Sequence, residues 1–387
     1  MDVKATDKKY VMGTYNRFDL LIVAGEGCYC FDEKGKRYTD LTSGIGVNSL
    51  GYCDRQWADA VAAQARTLNH TSNLFYTEPC VKLAEKLCTR TGASKVFFAN
   101  SGAEANEGAI KVARKYSFDK YGKGRDTVIT LKNSFHGRTI TTLAATGQDV
   151  FHNYFFPFTQ GFRYVESGDM EALKREADDS VCAVMIEFVQ GEGGVIAQDM
   201  EYVKALRKFC DERDILLIAD EVQTGIGRTG TLLASESYGI VPDITTLAKG
   251  LGGGLPVGAV LVYGKAENVM GFSSHGSTFG GNPVVCAGAL EVLRRIDDAF
   301  LDDVKRKGVF VREKLKGAKG IAEVSGLGLM VGIKLTDKNA KDVIAKGIER
   351  GVLMLSAKDR IRLLPPLTIT EKQLGEALDV LLEILAE

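Results

Sequence analysis

The sequence predicts an α/β protein built on a mostly parallel sheet with helices on both faces. Between residues 55 and 275, short apolar runs alternate with segments whose apolar residues recur every three or four positions, which indicates alternating strands and helices. One unbroken apolar run, residues 215–219, follows a helix-like segment and ends at Asp220. Such a run is typical of a strand buried on both faces. Because ligands bind at the carboxyl ends of strands in such sheets, Asp220 is expected at the ligand-binding edge.

The composition is ordinary for a globular enzyme and gives no sign of a nucleic-acid or membrane partner. The 387 residues allow two or three domains, and 49 basic against 50 acidic side chains leave no electrostatic footprint for nucleic acid or an acidic membrane. No apolar run reaches the roughly 18 residues of a membrane span. The chain start lacks an apolar signal core, so a cytoplasmic location is expected. The eight cysteines form no C-x-x-C pair and the four histidines show no ligand spacing, which predicts buried thiols in a reducing compartment and no metal site.

The beginning of the chain is predicted to form a hairpin. Residues 27–31 and 37–41 read as strands on either side of a polar turn. A glycine-rich connection at residues 43–48 follows, and loops of this kind either border an active site or serve as plain linkers.

The middle of the chain supplies the strand–helix alternation. Helices are predicted over residues 57–68, 79–90, 105–116 and 200–210. Strands are predicted over residues 96–99, 127–131, 181–186, 215–219, 244–248 and 258–262.

From residue 282 the pattern changes to that of a smaller α+β domain. Asn282 can cap a helix that has Pro283 at its first position, and Thr370-x-x-Gln373 is a capping box for the last helix. Strand-like runs lie at residues 322–324, 329–335 and 352–355. We therefore expect a large domain of residues 51–281 and a small domain of residues 282–387, which the N-terminal residues 1–50 join.

A lysine and an acid are predicted to meet at the sheet edge. The run 244–248 is followed at once by Lys249 and by the glycine-rich residues 250–254. An amine and a carboxylate at the ends of two strands suit pyridoxal 5'-phosphate (PLP), whose aldehyde forms a Schiff base with a lysine and whose ring nitrogen pairs with an acid. Taken singly, such a lysine is more often a solvated side chain and Asp220 a cap or turn former.

Three further stretches could contact the same ligand. Ser101-Gly102-Ala103 follows a strand and opens a helix, where backbone N–H groups can bind a phosphate, although an ordinary helix cap has the same pattern. Phe135 could stack on a ring or belong to the core. Arg138 could bind a substrate carboxylate bidentately or form a surface ion pair.

Two other segments leave alternatives open. The loop 275–282 contains Thr278, which could bind the phosphate, or the loop could be a linker between domains. Residues 225–230 match G-x-G-x-x-G, the turn of a nicotinamide-binding site. That alternative is disfavoured because residues 220–224 separate the motif from its strand and no helix is predicted to begin at Gly230.

Together these stretches resemble the class III (subgroup II) PLP-dependent aminotransferases. The motifs that carry the resemblance are Ser-Gly-Ala-Glu-Ala-Asn at 101–106, Phe-His-Gly-Arg at 135–138, Asp-Glu-Val-Gln-Thr-Gly at 220–225, Lys-Gly at 249–250 and Gly-Ser-Thr-Phe-Gly-Gly-Asn-Pro at 276–283. The resemblance covers nearly the whole chain. It implies a PLP-dependent transferase of fold type I, with a mostly parallel seven-stranded sheet in the large domain, a smaller α+β domain, and a homodimer with active sites at the subunit interface.

The resemblance also implies a role for each matching residue. Lys249 and Asp220 become the catalytic pair, and Glu192 becomes a gate that pairs with Arg362. Arg138, Arg362 and Ser277 are implied in substrate binding. The residues implied in cofactor binding are Ser101, Gly102, Ala103, Phe135, Asp220, Gln223, Lys249 and, from the neighbouring subunit, Thr278.

The expected reaction moves the δ-amino group of N2-acetylornithine to 2-oxoglutarate and gives a semialdehyde and glutamate. Succinylornithine, ornithine, acetyllysine and 4-aminobutyrate stay open as amino donors. A second hypothesis is an aminomutase that isomerises glutamate-1-semialdehyde without an acceptor.

Overall fold

The computed structural model describes residues 2–387 and contains four sheets. In chain order the strands are β1 (Ile22–Glu26), β2 (Tyr29–Asp32), β3 (Arg37–Asp40), β4 (Lys95–Ala99), β5 (Thr127–Leu131), β6 (Phe162–Val165), β7 (Val181–Ile186), β8 (Val189–Gln190), β9 (Ile196–Ala197), β10 (Leu216–Asp220), β11 (Ile244–Leu247), β12 (Gly258–Val262), β13 (Ile321–Leu327), β14 (Met330–Leu335), β15 (Val352–Leu353), β16 (Leu355–Ala357) and β17 (Arg360–Leu363).

Helices alternate with these strands along the chain. They are α1 (Val3–Tyr10), α2 (Ser43–Gly46), α3 (Arg55–Thr67), α4 (Glu78–Thr91), α5 (Gly102–Tyr121), α6 (Ile140–Ala145), α7 (Met170–Glu176), α8 (Met200–Glu212), α9 (Ala234–Ser237), α10 (Pro283–Arg295), α11 (Asp298–Leu315), α12 (Ala340–Glu349) and α13 (Glu371–Ala386). Among the described residues, no helix has the length and apolarity to cross a membrane.

The largest sheet has seven strands in the order β4-β12-β11-β10-β7-β5-β6. Strand β12 is antiparallel to both of its neighbours, and the other adjacent pairs are parallel, so the predicted mostly parallel seven-stranded sheet is confirmed. Residues 215–219 are at most 1% exposed, because helices shield both faces of β10. Asp220 is the last residue of this central strand, at its carboxyl end.

The predicted hairpin at the chain start is present as β2 and β3, and β1 extends it. Strand β15 pairs in parallel with β3, with Val352 opposite Thr39, so the N-terminal segment joins the C-terminal part of the chain. The remaining large sheet, β13-β14-β17-β16, lies in that C-terminal part. The division at residues 50 and 281 stays a prediction, and α10 packs against α3 and α4 of the middle region.

Helix capping follows the sequence closely. The Asn282 side chain accepts hydrogen bonds from the N–H groups of Val284 and Val285 at the start of α10. The Thr370 and Gln373 side chains form the predicted capping box of α13. These contacts satisfy donors that the first turn of a helix otherwise leaves unpaired.

The sequence misjudged the extent or number of some elements and missed others. Helix α5 continues beyond Tyr116 to Tyr121, where its solvent-exposed last turn has no apolar period to follow. The single strand predicted over 352–355 is two strands in different sheets, β15 and β16, with the buried Met354 between them. Strands β6 and β17 were missed because Arg163 interrupts the first and two arginines interrupt the second.

Candidate active site

A cavity of about 460 Å³ opens at the carboxyl edge of the seven-stranded sheet. It brings together eight of the residues that the sequence singled out, although they come from four separate segments of the chain. Those lining residues are Ser101, Gly102, Ala103, Phe135, Arg138, Asp220, Gln223 and Lys249.

Asp220 lies at the floor of the cavity and is 4% exposed. Its Oδ2 accepts hydrogen bonds from His136 Nδ1 and from Asn106 Nδ2, each at 2.8 Å. Its Oδ1 accepts from the backbone N–H of Val222 at 3.1 Å. Three donors therefore compensate the burial of this carboxylate, and they fix the direction in which it faces the cavity.

The donors to Asp220 are themselves held in place. Asn106 also donates to the backbone oxygen of His136 at 2.7 Å and accepts from Thr246 Oγ1 at 2.7 Å. The sequence motifs contained Asn106 and His136, but no role was predicted for them. A polar asparagine on the apolar face of α5, directly after Ala105, was the signal that could have found this network.

Lys249 follows β11 after one residue, Ala248, and is half-buried in the same cavity as Asp220. Its backbone has φ of +42°, a conformation that costs free energy for a residue other than glycine and is often kept at functional sites. Burial lowers the pKa of the Lys249 amine; the charge of Glu192 raises that pKa and the charge of Arg362 lowers it. The net shift favours the neutral amine, which is the nucleophilic and basic form.

A second acid, Glu187, lines the cavity and was predicted only as the end of a strand. It is 5% exposed and accepts hydrogen bonds from the N–H of Phe135 at 3.0 Å and of Gly191 at 3.4 Å. Burial, followed by repulsion from Asp220, raises the pKa of Glu187 well above its usual value. Glu187 therefore ties the loop of Phe135 to the loop of Glu192 through backbone hydrogen bonds.

The start of α5 forms an anion cradle on one wall of the cavity. Ser101 caps the helix, since its Oγ accepts from the N–H of Glu104 at 3.1 Å. A Cβ on Gly102 would lie 2.6 Å from Val222, and one on Gly258 would lie 2.3 Å from the Ser101 carbonyl oxygen. Only glycine fits at these two places, and the backbone N–H groups of the first turn stay accessible to a phosphate.

Phe135 and Arg138 line the same cavity and extend from the loop after β5. Phe135 is half-buried and Arg138 is exposed. The Arg138 guanidinium lies 5.5 Å from the centre of the Phe135 ring and 4.2 Å from that of Phe151. These cation–π contacts hold the arginine at the mouth of the cavity while its donors remain free.

Arg362 and Glu192 form an ion pair beside the cavity, with Nη1 and Oε1 2.5 Å apart. Arg362 is 3% exposed, and its Nη1 is also 3.4 Å from the Gly191 carbonyl oxygen and 3.5 Å from Gln223 Oε1. The predicted pairing of these two residues is therefore present in the geometry. Gln223 connects the pair to the cavity that it lines.

Ser277 and Thr278 lie outside this cavity within one chain. Ser277 Oγ accepts from Asn100 Nδ2 at 3.3 Å, and Asn100 lines the cavity, so Ser277 is its neighbour. Thr278 lines a separate surface pocket with His70 and Phe75.

The G-x-G-x-x-G segment does not form a nucleotide-binding turn. Residues 225–230 form successive turns, and the next helix, α9, begins only at Ala234 and has four residues. The strand–turn–helix geometry that binds a dinucleotide is therefore replaced here by a loop that points Arg228 into the interior.

Comparisons with known proteins agree with this arrangement. A family model described as aminotransferase class-III matches residues 10–385. The chain is similar to acetylornithine aminotransferase of Haemophilus ducreyi, with 53% identity over 387 residues, covering 100% of this chain and 98% of the relative. It is similar to the solved ornithine aminotransferase of Toxoplasma gondii, which has PLP at partial occupancy in its active site (TM-score 0.93, 33% identity, 99% of this chain and 93% of that chain). It is also similar to N-acetylornithine aminotransferase from Stenotrophomonas maltophilia (TM-score 0.85, 34% identity, 99% of this chain and 98% of that chain).

We expect the Lys249 amine of the protein without added cofactor to titrate below the value of about 10.4 for a free lysine. Reductive methylation across a pH series, followed by mass spectrometry of the Lys249 peptide, measures this. Because Glu192 raises the pKa of Lys249 and Arg362 lowers it, Glu192→Gln should move the profile to lower pH and Arg362→Met to higher pH. The same peptide in the denatured chain is the control. Coincident native and denatured profiles, or two variants that shift in the same direction, would contradict this account.

Proposed function

Since the chain belongs to the class-III aminotransferases, we propose that it moves the δ-amino group of N2-acetylornithine to 2-oxoglutarate. The observation that carries the proposal is the pair of arginines at the cavity. Arg138 is exposed, whereas Arg362 is closed by Glu192. One open cation suits a substrate with a single carboxylate next to an acylated amine, and a second cation behind a gate suits a dicarboxylate.

The cofactor of the proposed reaction is PLP, and the residues of the cavity fit it. Its phosphate matches the start of α5, where the Cβ of any residue other than glycine at position 102 would clash with Val222. Phe135 and Val222, which line the cavity, would hold its ring. Asp220 would pair with the ring nitrogen, and Gln223 would lie near the ring hydroxyl. When bound, PLP supplies an aldehyde that accepts an amine and a cationic ring that withdraws electrons from the substrate carbon.

Lys249 is proposed to act as the proton carrier of the reaction. Because burial lowers the pKa of its amine, the amine could take a proton from the substrate carbon and deliver it to the carbon that the cofactor aldehyde supplies. Asp220, held by His136 and Asn106, would pair with the ring nitrogen and stabilise its positive charge. The positions of both groups are fixed before substrate arrives, so little reorganisation is needed.

Glu192 is proposed to decide which substrate the cavity accepts. With the ion pair closed, the charge of Arg362 is neutralised and the amino donor is held by Arg138 alone. When 2-oxoglutarate enters, its second carboxylate competes with Glu192 for Arg362. The exchange of one carboxylate for another on a buried arginine leaves the charge balance nearly unchanged.

We further propose that two copies of the chain form a homodimer in the cytoplasm. Several large apolar side chains are exposed on the segments around Thr278 and at residues 74–81: Leu74 at 88%, Phe75 at 68%, Tyr76 at 100%, Phe272 at 103% and Phe279 at 61%. An apolar patch of this kind supports association. Thr278 lies on this surface, away from Lys249, so it would serve the active site of the neighbouring subunit.

Purified protein with PLP should form glutamate from N2-acetylornithine and 2-oxoglutarate, as measured by a coupled glutamate assay. The Asp220→Asn variant should lower kcat by about 10³–10⁵-fold, because loss of the ion pair to the ring nitrogen raises the barrier by about 4–7 kcal/mol. A normal thermal midpoint for the variant would exclude misfolding as the cause.

Omission of single components separates the alternatives. If succinylornithine, ornithine, acetyllysine or 4-aminobutyrate gives glutamate and N2-acetylornithine gives none, the donor assignment is wrong while the aminotransferase activity stands. Turnover of glutamate-1-semialdehyde without 2-oxoglutarate would instead identify an aminomutase.

Mixed dimers test whether Thr278 serves the neighbouring site. Lys249→Ala and Thr278→Val should each be inactive as homodimers when PLP is limiting. Refolding the two together in equal amounts should restore about one quarter of the wild-type activity, because about half of the dimers then contain one site with both residues intact. If Thr278 acts within its own chain, every site in the mixture has one defect and no activity returns.

A further inference from the structure

The G-x-G-x-x-G segment has a conformation that the proposed function leaves unexplained. Ile226, Gly227 and Gly230 all have positive φ, at +56°, +84° and +95°. Ile226 is a β-branched residue, for which this conformation is strained. These turns direct Arg228 inward, where it is 2% exposed and is among the largest fully buried side chains of the described protein.

The Arg228 guanidinium joins three segments that are distant in sequence. Nη1 donates to the carbonyl oxygens of Leu329 at 3.1 Å and of Pro365 at 2.6 Å. Nη2 donates to Ser43 Oγ at 3.4 Å, and Ser43 Oγ in turn donates to the Leu364 carbonyl oxygen at 2.6 Å. The backbones of these two residues are also bonded, since the N–H of Leu329 donates to the Arg228 carbonyl oxygen at 3.0 Å.

The buried positive charge of Arg228 has a carboxyl group near it. Burial lowers the pKa of Arg228 to about 9, and the carboxyl group of Asp40 opposes that shift. Asp40 is 0% exposed and lies on the N-terminal segment that also carries Ser43. Removal of a guanidinium that is buried with a carboxyl group and carbonyl acceptors is strongly destabilising, because its partners are left unpaired. The planar guanidinium also fixes the directions of its hydrogen bonds.

The segments that Arg228 joins contain the two halves of the proposed site. Its own loop begins with Asp220 and Gln223, which face the cofactor cavity. Pro365 follows β17, the strand of Arg362, by two residues. We infer that Arg228 is a positioning residue that fixes the dicarboxylate-binding Arg362 relative to the cofactor-binding end of β10.

The inference rests on the proposed function for the role of Arg362, but its test measures binding and not turnover. Glutarate, a dicarboxylate that cannot react, is titrated calorimetrically into the PLP-loaded protein. Arg228→Met keeps the length of the side chain and removes its donors, so glutarate binding should weaken by about tenfold or more. Arg228→Lys, whose ammonium can reach one carbonyl oxygen but cannot reproduce the fork, should lie between this variant and the wild type.

Arg207→Met is the control for loss of a partly buried arginine. Arg207 bonds Asp243 at 2.8 Å and Asp211 at 2.6 Å, and Asp243 lies just before β11, at the opposite end of that strand from the cavity. The control variant should lower the thermal midpoint as Arg228→Met does, yet leave the glutarate affinity within about twofold of the wild type.

Equal weakening of glutarate binding in Arg228→Met and Arg207→Met would overturn the inference. Unchanged glutarate binding in Arg228→Met would overturn it as well. If Arg228→Met does not fold, Arg228→Lys and Ser43→Ala decide in its place, and each should weaken glutarate binding by about threefold or more. Failure of the proposed function would be visible separately, as wild-type protein that forms no glutamate from any donor.

Discussion

The burial of one carboxylate organises the structure around its cavity. Asp220 ends a strand that is enclosed on both faces, where an uncompensated charge would cost several kcal/mol, roughly the whole stability of a domain. His136 and Asn106 compensate it from two neighbouring elements, and Thr246 on β11 holds Asn106. The same contacts therefore stabilise the fold and hold the acid in place at the cavity.

A second buried charge lies beside the same cavity. Arg362 is at least as buried as Asp220 and is held by Glu192. Arg228, a third buried charge, connects the strand of Arg362 to the loop after Asp220. Charged side chains that would destabilise a core singly are placed here in pairs and networks, so the relative positions of Asp220 and Arg362 depend on contacts that are costly to break.

The sequence predicted those elements that depend on apolar patterning and on capping residues within the element itself. Apolar runs located β5, β7 and β12 to the residue, and cap residues located α10 and α13. The meeting of Asp220 and Lys249 was predictable because β10 and β11 are neighbours, with Ile218 opposite Ile244, and parallel strands end at one edge. Strand β17 was not predictable, because Arg360 and Arg362 look like surface residues until their partners are known. The network around Asp220 likewise depends on contacts between distant segments.

The central claim is that the Lys249 amine and the Asp220 carboxylate hold one PLP ring between them. Borohydride reduction of the PLP-loaded protein, followed by digestion and mass spectrometry, tests it most directly. The account predicts one phosphopyridoxyl group per chain, on Lys249 alone, in the wild type and in an Asp220→Asn variant loaded with excess PLP. A label on another lysine, or no label on Lys249, would contradict it.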